Sequence, residues 1–230
     1  MQPQRVSFCD CSRAAATLAA AFNDDPASRY LFGHPHISTS EETFRKLHAD
    51  FMEYTVYAHL LHGQVWQIDD FAGVSLWMPP GKSTDSLTTL FMSGYWRLYY
   101  KLSRKGRIRL FDEFFPLLFA TKKLILGDYD QNSWYLVYLG TLPSARGKGY
   151  ARKLIECASR QADAAGVPCY LESSHPQNRN IYERFDFVYR DTIYLQGDVE
   201  GPKATGSGHP LELMSTNPKS ALDLNRESKI

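Results

Sequence analysis

The feature that most constrains the fold of this sequence is an apolar run that passes through a short glycine-rich loop into a helix. Residues 135–156 read YLVYLGTLPSARGKGYARKLIE. The small residues of the loop allow a tight backbone turn, and the apolar residues after it follow the helical spacing of Ala151, Leu154, Ile155 and Ala158. The amide groups of the loop are therefore expected at a helix N-terminus.

This loop is predicted to bind a phosphate group. Unpaired N–H groups and the positive end of the helix dipole favour an anion there, and Arg146 and Lys148 add positive charge. The P-loop and the three-glycine dinucleotide fingerprint are both absent, because neither spacing occurs here. A pyrophosphate is the expected ligand, whereas the loop taken alone is equally typical of a simple turn.

Two sequence blocks carry a resemblance to a known family. The loop residues Arg146-x-x-Gly149-x-Ala151 match the Gln/Arg-x-x-Gly-x-Gly/Ala signature, and the downstream block is Asn178-x-x-x-Tyr182. The segments AGVPCYLESS and NRNIYERFDF are similar to the puromycin N-acetyltransferase-like small-molecule subgroup. Over residues 130–195 the chain thus resembles the GNAT superfamily of acetyl-coenzyme A-dependent N-acetyltransferases.

The resemblance implies both a fold and an activity. The expected fold is α/β (α+β), with a single mixed, mostly antiparallel central sheet flanked by helices. One domain is expected over residues 1–214, with a helical aromatic insert at residues 86–125 and a polar tail at residues 215–230. The expected reaction is direct transfer of an acetyl group from acetyl-coenzyme A to a primary amine of a small molecule in a ternary complex, without a metal.

The resemblance, together with the predicted positions of the residues, implies roles for individual side chains. Tyr182 is expected to be the general acid that protonates the coenzyme A sulfur, since a phenol with a pKa of about 10 stays protonated at neutral pH. Glu172, at the end of the strand predicted over residues 168–172, is expected either to act as the general base or to bind the substrate cation. Asp24, Asp25 and Tyr30 are expected to contact the acceptor amine.

Contacts with coenzyme A are expected from the loop, the helix after it, the strand before it and the start of the Tyr182 helix. They are Leu139, Thr141, Arg146, Gly147, Lys148, Gly149, Tyr150, Ala151, Arg152 and Asn178. The backbone near Leu139 and Thr141 would bind the pantetheine arm. Relatives usually have Gly at the position of Asp186, and Asp is expected to keep this turn because it tolerates left-handed backbone.

Elsewhere the pattern predicts a strand at residues 6–8, helices at 13–22 and 41–60, and a hairpin loop at 196–209 before a last strand at 211–214. Ser12 is the predicted N-cap of the first helix. Most aromatic residues of the insert are expected in the core or a dimer face, and a minority in the acceptor pocket. They are Phe91, Tyr95, Trp96, Tyr99, Tyr100, Phe111, Phe114, Phe115 and Phe119.

Composition limits the partners. The net charge of +1 gives no general case for nucleic acid, and the basic run at residues 101–109 is expected to be a solvated helix end or a rim that attracts the acidic cofactor. No membrane partner is expected, because no apolar stretch is long enough to span a bilayer. A cytoplasmic location is expected, with the nucleus as an alternative, and a homodimer is left open. Rival activities are acetylation of a protein lysine or N-terminus, and non-catalytic binding of acyl-coenzyme A.

Overall fold

Seven strands form one sheet within the described residues, which are 1–33, 40–196 and 208–218 of a computed structural model. The strands run in the spatial order β1-β2-β3-β4-β5-β7-β6, and β4 with β5 forms the parallel pair among otherwise antiparallel neighbours. This confirms the expected mixed, mostly antiparallel sheet. The strands are β1 (Gln4–Arg5), β2 (Gln64–Ile68), β3 (Gly73–Met78), β4 (Trp134–Thr141), β5 (Cys169–Ser173), β6 (Val188–Gln196) and β7 (Gly208–Ser215).

Helices cover both faces of this sheet. They are α1 (Cys11–Ala21), α2 (Pro26–Ser28), α3 (Glu41–His62), α4 (Leu87–Ser93), α5 (Trp96–Lys101), α6 (Arg104–Arg107), α7 (Phe115–Leu126), α8 (Tyr150–Ala165) and α9 (Arg179–Tyr182). Two π-helical segments, Arg29–Gly33 and Ile108–Phe114, follow α2 and α6. Among the described helices, none has the length and apolar character needed to cross a bilayer.

The apolar core has two layers, one on each face of the sheet, and side chains of β3 point alternately into them. Val74 packs in the layer that contains Leu18 of α1 and Phe51 of α3, whereas Trp77 packs in the layer that contains Ile155 of α8. Successive strand residues point to opposite faces, so one strand serves both layers. The helix that follows the glycine-rich loop therefore lies across the sheet from α1, α3 and the insert.

A glycine allows α1 to approach the sheet. A Cβ atom at Gly140 of β4 would lie 2.8 Å from the Cβ of Ala21 and 3.0 Å from a methyl group of Leu18. Any larger residue would force α1 away from β4. This close contact fixes the loop that follows α1 beside the strand that leads into residues 142–149.

The structure corrects several predicted boundaries. The first strand is Gln4–Arg5, and residues 8–10 form a 3-10 turn instead. Ser12 lies inside α1, whose N-cap is Asp10; that side chain makes no capping bond and accepts from Ser7 Oγ at 2.8 Å. The last strand is longer than predicted and includes Ser215, because β7 pairs with both β5 and β6. Most of the predicted hairpin loop and tail, residues 197–207 and 219–230, lie outside the described residues.

Candidate functional site

A gap opens in the sheet where the two parallel strands separate. The pairing of β4 with β5 runs from Trp134 and Cys169 to Leu136 and Leu171. Beyond this point β4 continues along β3 to Thr141, whereas β5 continues along β7. The end of β5 and the second half of β4 therefore face each other across open space.

A cavity of about 640 Å³ extends from this gap to the helical insert. The insert supplies more of its wall than predicted, since five of the nine insert aromatic residues line it: Tyr95, Phe111, Phe114, Phe115 and Phe119. The other four, Phe91, Trp96, Tyr99 and Tyr100, are exposed. Tyr95 and Phe114 also belong to the core, and Phe111 and Phe115 pack against it, whereas the expected dimer face stays a prediction. The short insert helices cover the cavity on one side and leave their outer side open.

Glu172 lies in the cavity wall at the end of β5. Tyr135 Oη donates a hydrogen bond to Glu172 Oε2 at 2.6 Å, and Glu172 Oε1 is buried without a hydrogen-bond partner among the described residues. Burial raises the pKa of Glu172 from 4.5 to about 7, against the lowering effect of the Tyr135 bond. The carboxyl group can therefore gain or lose a proton near neutral pH.

Tyr182 lines the same cavity at the end of α9. Burial raises the pKa of its phenol to about 12, and its ring packs edge-on against Phe187 at 5.9 Å between centroids. The hydroxyl makes no hydrogen bond to other described residues and stays protonated at neutral pH. Asp186 adopts the expected left-handed backbone with φ 62°, so the turn after Tyr182 is kept. Asn178 also lines the cavity.

The glycine-rich loop forms an open backbone cradle at the start of α8. Gly147 and Gly149 have φ of 80° and 75°, and no atom lies within 4 Å of a Cβ built on either. Both residues can turn the loop amides outward because glycine adopts left-handed backbone without steric cost. The exposed side chains of Arg146 and Lys148 form no ion pair with other described residues, and the Lys148 Nζ lies 6.0 Å from the Tyr150 ring centroid.

The neighbouring predicted contacts differ in their surroundings. Arg152 pairs with Glu156 at 2.8 Å, and Tyr150 donates a hydrogen bond to Asp69. Ala151 is half-buried in the first turn of α8. On β4, Leu139 lines the cavity and Thr141 ends the strand opposite Gly73 of β3.

The three predicted acceptor contacts do not come together. Asp25 lines the cavity, where it caps α2 by accepting from the Ser28 amide at 2.9 Å and also accepts from the Ser174 hydroxyl. Asp24 is exposed and pairs with Arg29 at 3.2 Å. The Tyr30 hydroxyl donates to Glu113 at 2.9 Å. Neither Asp24 nor Tyr30 belongs to the described residues that line the cavity.

Sequence reasoning missed several polar groups of the cavity, among them Tyr135 and His59. Tyr135 is part of the apolar run before the glycine-rich loop, and parallel pairing of β4 with β5 would have aligned it near Glu172. His59 of α3 also lines the cavity, with Nδ1 2.7 Å from the Thr55 carbonyl oxygen. Burial lowers the pKa of His59 to about 4, so the imidazole is neutral at physiological pH. A lone histidine on a helix gives no such signal in the sequence.

Two polar groups of the cavity differ in how they hold a proton. The carboxyl group of Glu172 titrates near pH 7, whereas the phenol of Tyr182 keeps its proton far above that pH. Glu172 can therefore accept a proton at neutral pH, and Tyr182 can donate one. No cluster of three or more potential metal ligands occurs in the described ranges.

Comparison with known proteins identifies similar sequences and folds. A family model described as YOR012W acetyl transferase domain matches residues 7–83, and one described as an acetyltransferase (GNAT) domain matches residues 120–189. A protein of Schizosaccharomyces pombe named as an uncharacterized N-acetyltransferase is 45% identical over 229 residues, which cover 100% of this chain and 88% of the relative.

Solved structures with a similar fold have low sequence identity. Arylalkylamine N-acetyltransferase 2 from Aedes aegypti has a TM-score of 0.60 and 17% identity, over 95% of this chain and 99% of that one. Polyamine N-acetyltransferase from Drosophila melanogaster has a TM-score of 0.55 and 14% identity, over 94% of this chain and 98% of that one. These two structures support the fold alone.

Proposed function

Because the chain belongs to the GNAT superfamily of acetyltransferases, we propose that it moves the acetyl group of acetyl-coenzyme A directly to a primary amine of a small molecule. The observation that carries this proposal is that the wall of one cavity contains both Glu172 and Tyr182. Members of the family generally use acetyl-coenzyme A. The names of the Aedes and Drosophila structures, which refer to arylalkylamines and polyamines, agree with a small amine as acceptor.

The loop before α8 fits a pyrophosphate. Its two left-handed glycines leave open space above the backbone, and α8 supplies the N-terminus of a long helix, Tyr150–Ala165. Arg146 and Lys148 have no competing acidic partner among the described residues, so both can bind phosphate oxygens. Arg152 is the weaker candidate of the predicted set, because Glu156 already neutralises it.

The gap between β4 and β5 suits an extended substrate arm. From residue 137 onward β4 pairs with β3 and no longer with β5, so its other edge offers unpaired backbone groups near Leu139 and Thr141. An arm bound along this edge would lead from the loop to the part of the cavity that contains Glu172. Positioning of the reactants by such contacts can supply about 7 to 11 kcal/mol of a barrier.

Glu172 is the proposed base, and its raised pKa is what suits it to this role. An alkyl ammonium group has a pKa of about 10.4, roughly 6 units above an ordinary glutamate. Raising the pKa of Glu172 to about 7 narrows this gap by about 2.5 units, which corresponds to about 3 kcal/mol. Glu172 would accept the ammonium proton directly or through water.

Tyr182 is the proposed acid. Its hydroxyl keeps its proton up to a pKa of about 12 and has no other described residue to bind. It can therefore donate a proton to the departing sulfur without prior rearrangement of a hydrogen bond. The acceptor would occupy the remaining cavity, where aromatic side chains hold an apolar body and Asp25 offers a second carboxylate.

The test is release of coenzyme A thiol with a panel of polyamines, amino sugars, amino acids, arylalkylamines and aminonucleosides. With the best acceptor, Tyr182→Phe should lower turnover by about 10²- to 10⁴-fold and leave the affinity for coenzyme A unchanged. Tyr129→Phe, which alters an exposed tyrosine, is the matched control. Unchanged turnover of Tyr182→Phe, with chemistry shown to limit the rate, would remove its acid role. Binding without thiol release by any amine would indicate a non-catalytic protein.

A further inference from the structure

The outer side of the insert presents an apolar surface that the proposed acetyl transfer does not use. Its side chains are exposed and come from α4, α5 and the segment after α6. We call this the insert surface, and it consists of Leu87, Phe91, Met92, Trp96, Tyr99, Tyr100 and Ile108. Leu87 is 84% exposed and Tyr100 is 77% exposed. These exposed fractions are far larger than those of apolar side chains that pack between two helices.

The aromatic members of the insert surface touch one another. Phe91 stacks on Trp96 with ring centroids 6.1 Å apart and planes 13° from parallel. Trp96 contacts Tyr100 at 6.2 Å, and Tyr100 contacts Tyr99 at 5.8 Å. Four large rings therefore form one continuous exposed patch, and such patches on soluble domains mark sites of interaction.

The segment that carries this patch is rich in basic residues. Residues 86–111 contain six basic residues and no acidic one. The guanidinium carbon of Arg97 lies 5.5 Å from the Trp96 ring centroid, and that of Arg107 lies 4.8 Å from Tyr99. Arg97 and Arg104 form no ion pair with other described residues, and both are exposed.

Part of the basic charge is already neutralised or hidden. Lys101 pairs with Asp50 of α3 at 2.6 Å, and Arg109 is buried, with its guanidinium over the Tyr30 ring. Asp112, at the far end of the segment, is exposed. The remaining arginines still give the patch a positive rim, so its partner should combine an apolar interior with negative charge.

We propose that the insert surface binds the surface of an anionic lipid bilayer. Trp96, Tyr99 and Tyr100 have the amphipathic rings that prefer the headgroup level, and the arginines would bind lipid phosphate and carboxylate groups. Leu87 and Met92 would enter the acyl boundary. This revises the expectation of no membrane partner, which rested on the lack of a membrane span and does not bear on peripheral binding.

Two other partners fit the insert surface less well. A second copy of the chain would bring like charges together across a two-fold axis, because the guanidinium groups of Arg97 and Arg107 lie beside the Trp96 and Tyr99 rings of the patch. A single-stranded nucleic acid would use the rings for stacking and the arginines for phosphate. It would leave the exposed aliphatic side chains of Leu87, Met92 and Ile108 without a role.

The test is co-sedimentation of the full chain with vesicles. Vesicles of phosphatidylcholine alone should bind little, and an equal mixture of phosphatidylcholine and phosphatidylserine should bind strongly and lose the protein at high salt. Each basic residue contributes about fivefold to such partitioning, so Arg97→Gln with Arg104→Gln should lower it about 25-fold. Trp96→Ser with Tyr100→Ser should also lower it. The charge-matched control is Arg160→Gln with Arg184→Gln, which alters two exposed arginines outside the insert.

Several results would overturn the proposal. They are absence of binding to the anionic vesicles, equal binding to both kinds of vesicle, or an equal loss in the control variant. Dimerisation that Trp96→Ser with Tyr100→Ser abolishes, without vesicle binding, would instead make the surface a contact between copies. Binding of a single-stranded RNA without vesicle binding would assign it to nucleic acid. Circular dichroism and thiol release of each variant check that the fold is intact.

Discussion

Glu172 should determine how kcat/KM depends on pH, and Tyr135 should set the position of that dependence. If Glu172 accepts a proton from a bound ammonium group, activity needs the carboxylate and the protonated amine together. In the wild-type protein, log(kcat/KM) should then rise with unit slope at low pH and level off above a midpoint near pH 7. This midpoint is the pKa that burial gives Glu172. Tyr182 has a pKa of about 12, so its ionisation should not lower kcat/KM at any pH below the pKa of the amine substrate.

The size of the Tyr135 effect follows from its hydrogen bond. Tyr135 Oη donates to Glu172 Oε2 at 2.6 Å and stabilises the charged form, so its loss must raise the pKa of Glu172. A hydrogen bond to a charged group contributes about 1.5 to 3 kcal/mol. One pKa unit corresponds to about 1.4 kcal/mol, so Tyr135→Phe should move the midpoint up by about 1 to 2 units. Activity at pH 7 falls in proportion, and activity at high pH recovers.

The assay is thiol release at low amine concentration across the pH range, with buffers of constant ionic strength. Tyr138→Phe is the control, because Tyr138 lines the same cavity from the same strand and makes no hydrogen bond to Glu172. Its midpoint should stay at the wild-type position. If the pH midpoint of Tyr135→Phe lies within about 0.3 units of the wild-type midpoint, the expected shift is absent and the role of Tyr135 is refuted. If kcat/KM of Glu172→Gln still rises with the same midpoint, the role of Glu172 is refuted, because the rise must then come from another group.

Three further predictions test other parts of the site. Gly149→Val should abolish coenzyme A binding by calorimetry, whereas Gly166→Val, which strains a left-handed glycine at the other end of α8, should not; normal affinity of the first variant would refute the loop assignment. Asp25→Asn keeps an N-cap side chain but removes a charge, so KM for a dicationic amine should rise while the melting temperature stays constant; an unchanged KM would remove its substrate role. Glu172→Gln should raise the free energy of unfolding at pH 8 by up to about 3 kcal/mol and by little at pH 4.

The sign of the last effect follows from linkage. The pKa of Glu172 in the folded state, about 7, lies above its ordinary value of 4.5, so the folded protein binds this proton more tightly than the unfolded chain. That contribution to stability is complete below about pH 4.5 and is lost as the pH rises through about 7. Urea denaturation of both proteins at the two pH values measures it. A difference of equal size at pH 4 and pH 8 would contradict it.

Local sequence patterns predicted the parts of the fold whose causes are local. The strand, loop and helix around Gly149 follow from small residues, basic residues and a helical apolar spacing, and the structure confirms all three elements. The turn at Asp186 was also correctly predicted, because a single residue that tolerates left-handed backbone was enough. The predicted first strand at residues 6–8 was wrong. The predicted N-cap of α1 at Ser12 was also wrong, because the helix begins earlier, after Asp10, whose side chain accepts a hydrogen bond from Ser7.

The polar chemistry of the cavity could not be predicted in the same way. The bond from Tyr135 to Glu172 joins residues 37 positions apart, and it depends on the register of two parallel strands. The insert presented a similar difficulty, because the pattern of its aromatic residues does not tell an inner wall from an outer surface. Only the packing of the short insert helices over the cavity separates Phe115 from Trp96.

The turn between β2 and β3 contacts both α1 and the start of α8. Three successive residues there, Asp69, Asp70 and Phe71, have φ between 49° and 65°, a conformation that costs on the order of 1 to 3 kcal/mol per residue. Helix α1 holds the turn, since Arg13 bonds to Asp70 at 2.5 Å and Thr17 donates to the Phe71 carbonyl at 2.7 Å.

Tyr150 then binds this turn from the other half of the chain, because its hydroxyl donates to Asp69. Tyr150 is the first residue of α8, directly after the glycine-rich loop. The segment matched by the first family model, residues 7–83, therefore contacts the start of the helix in the segment matched by the second, residues 120–189. We expect this contact with the strained turn to help hold the loop amides in position, which would favour the proposed binding of an anion at the helix N-terminus.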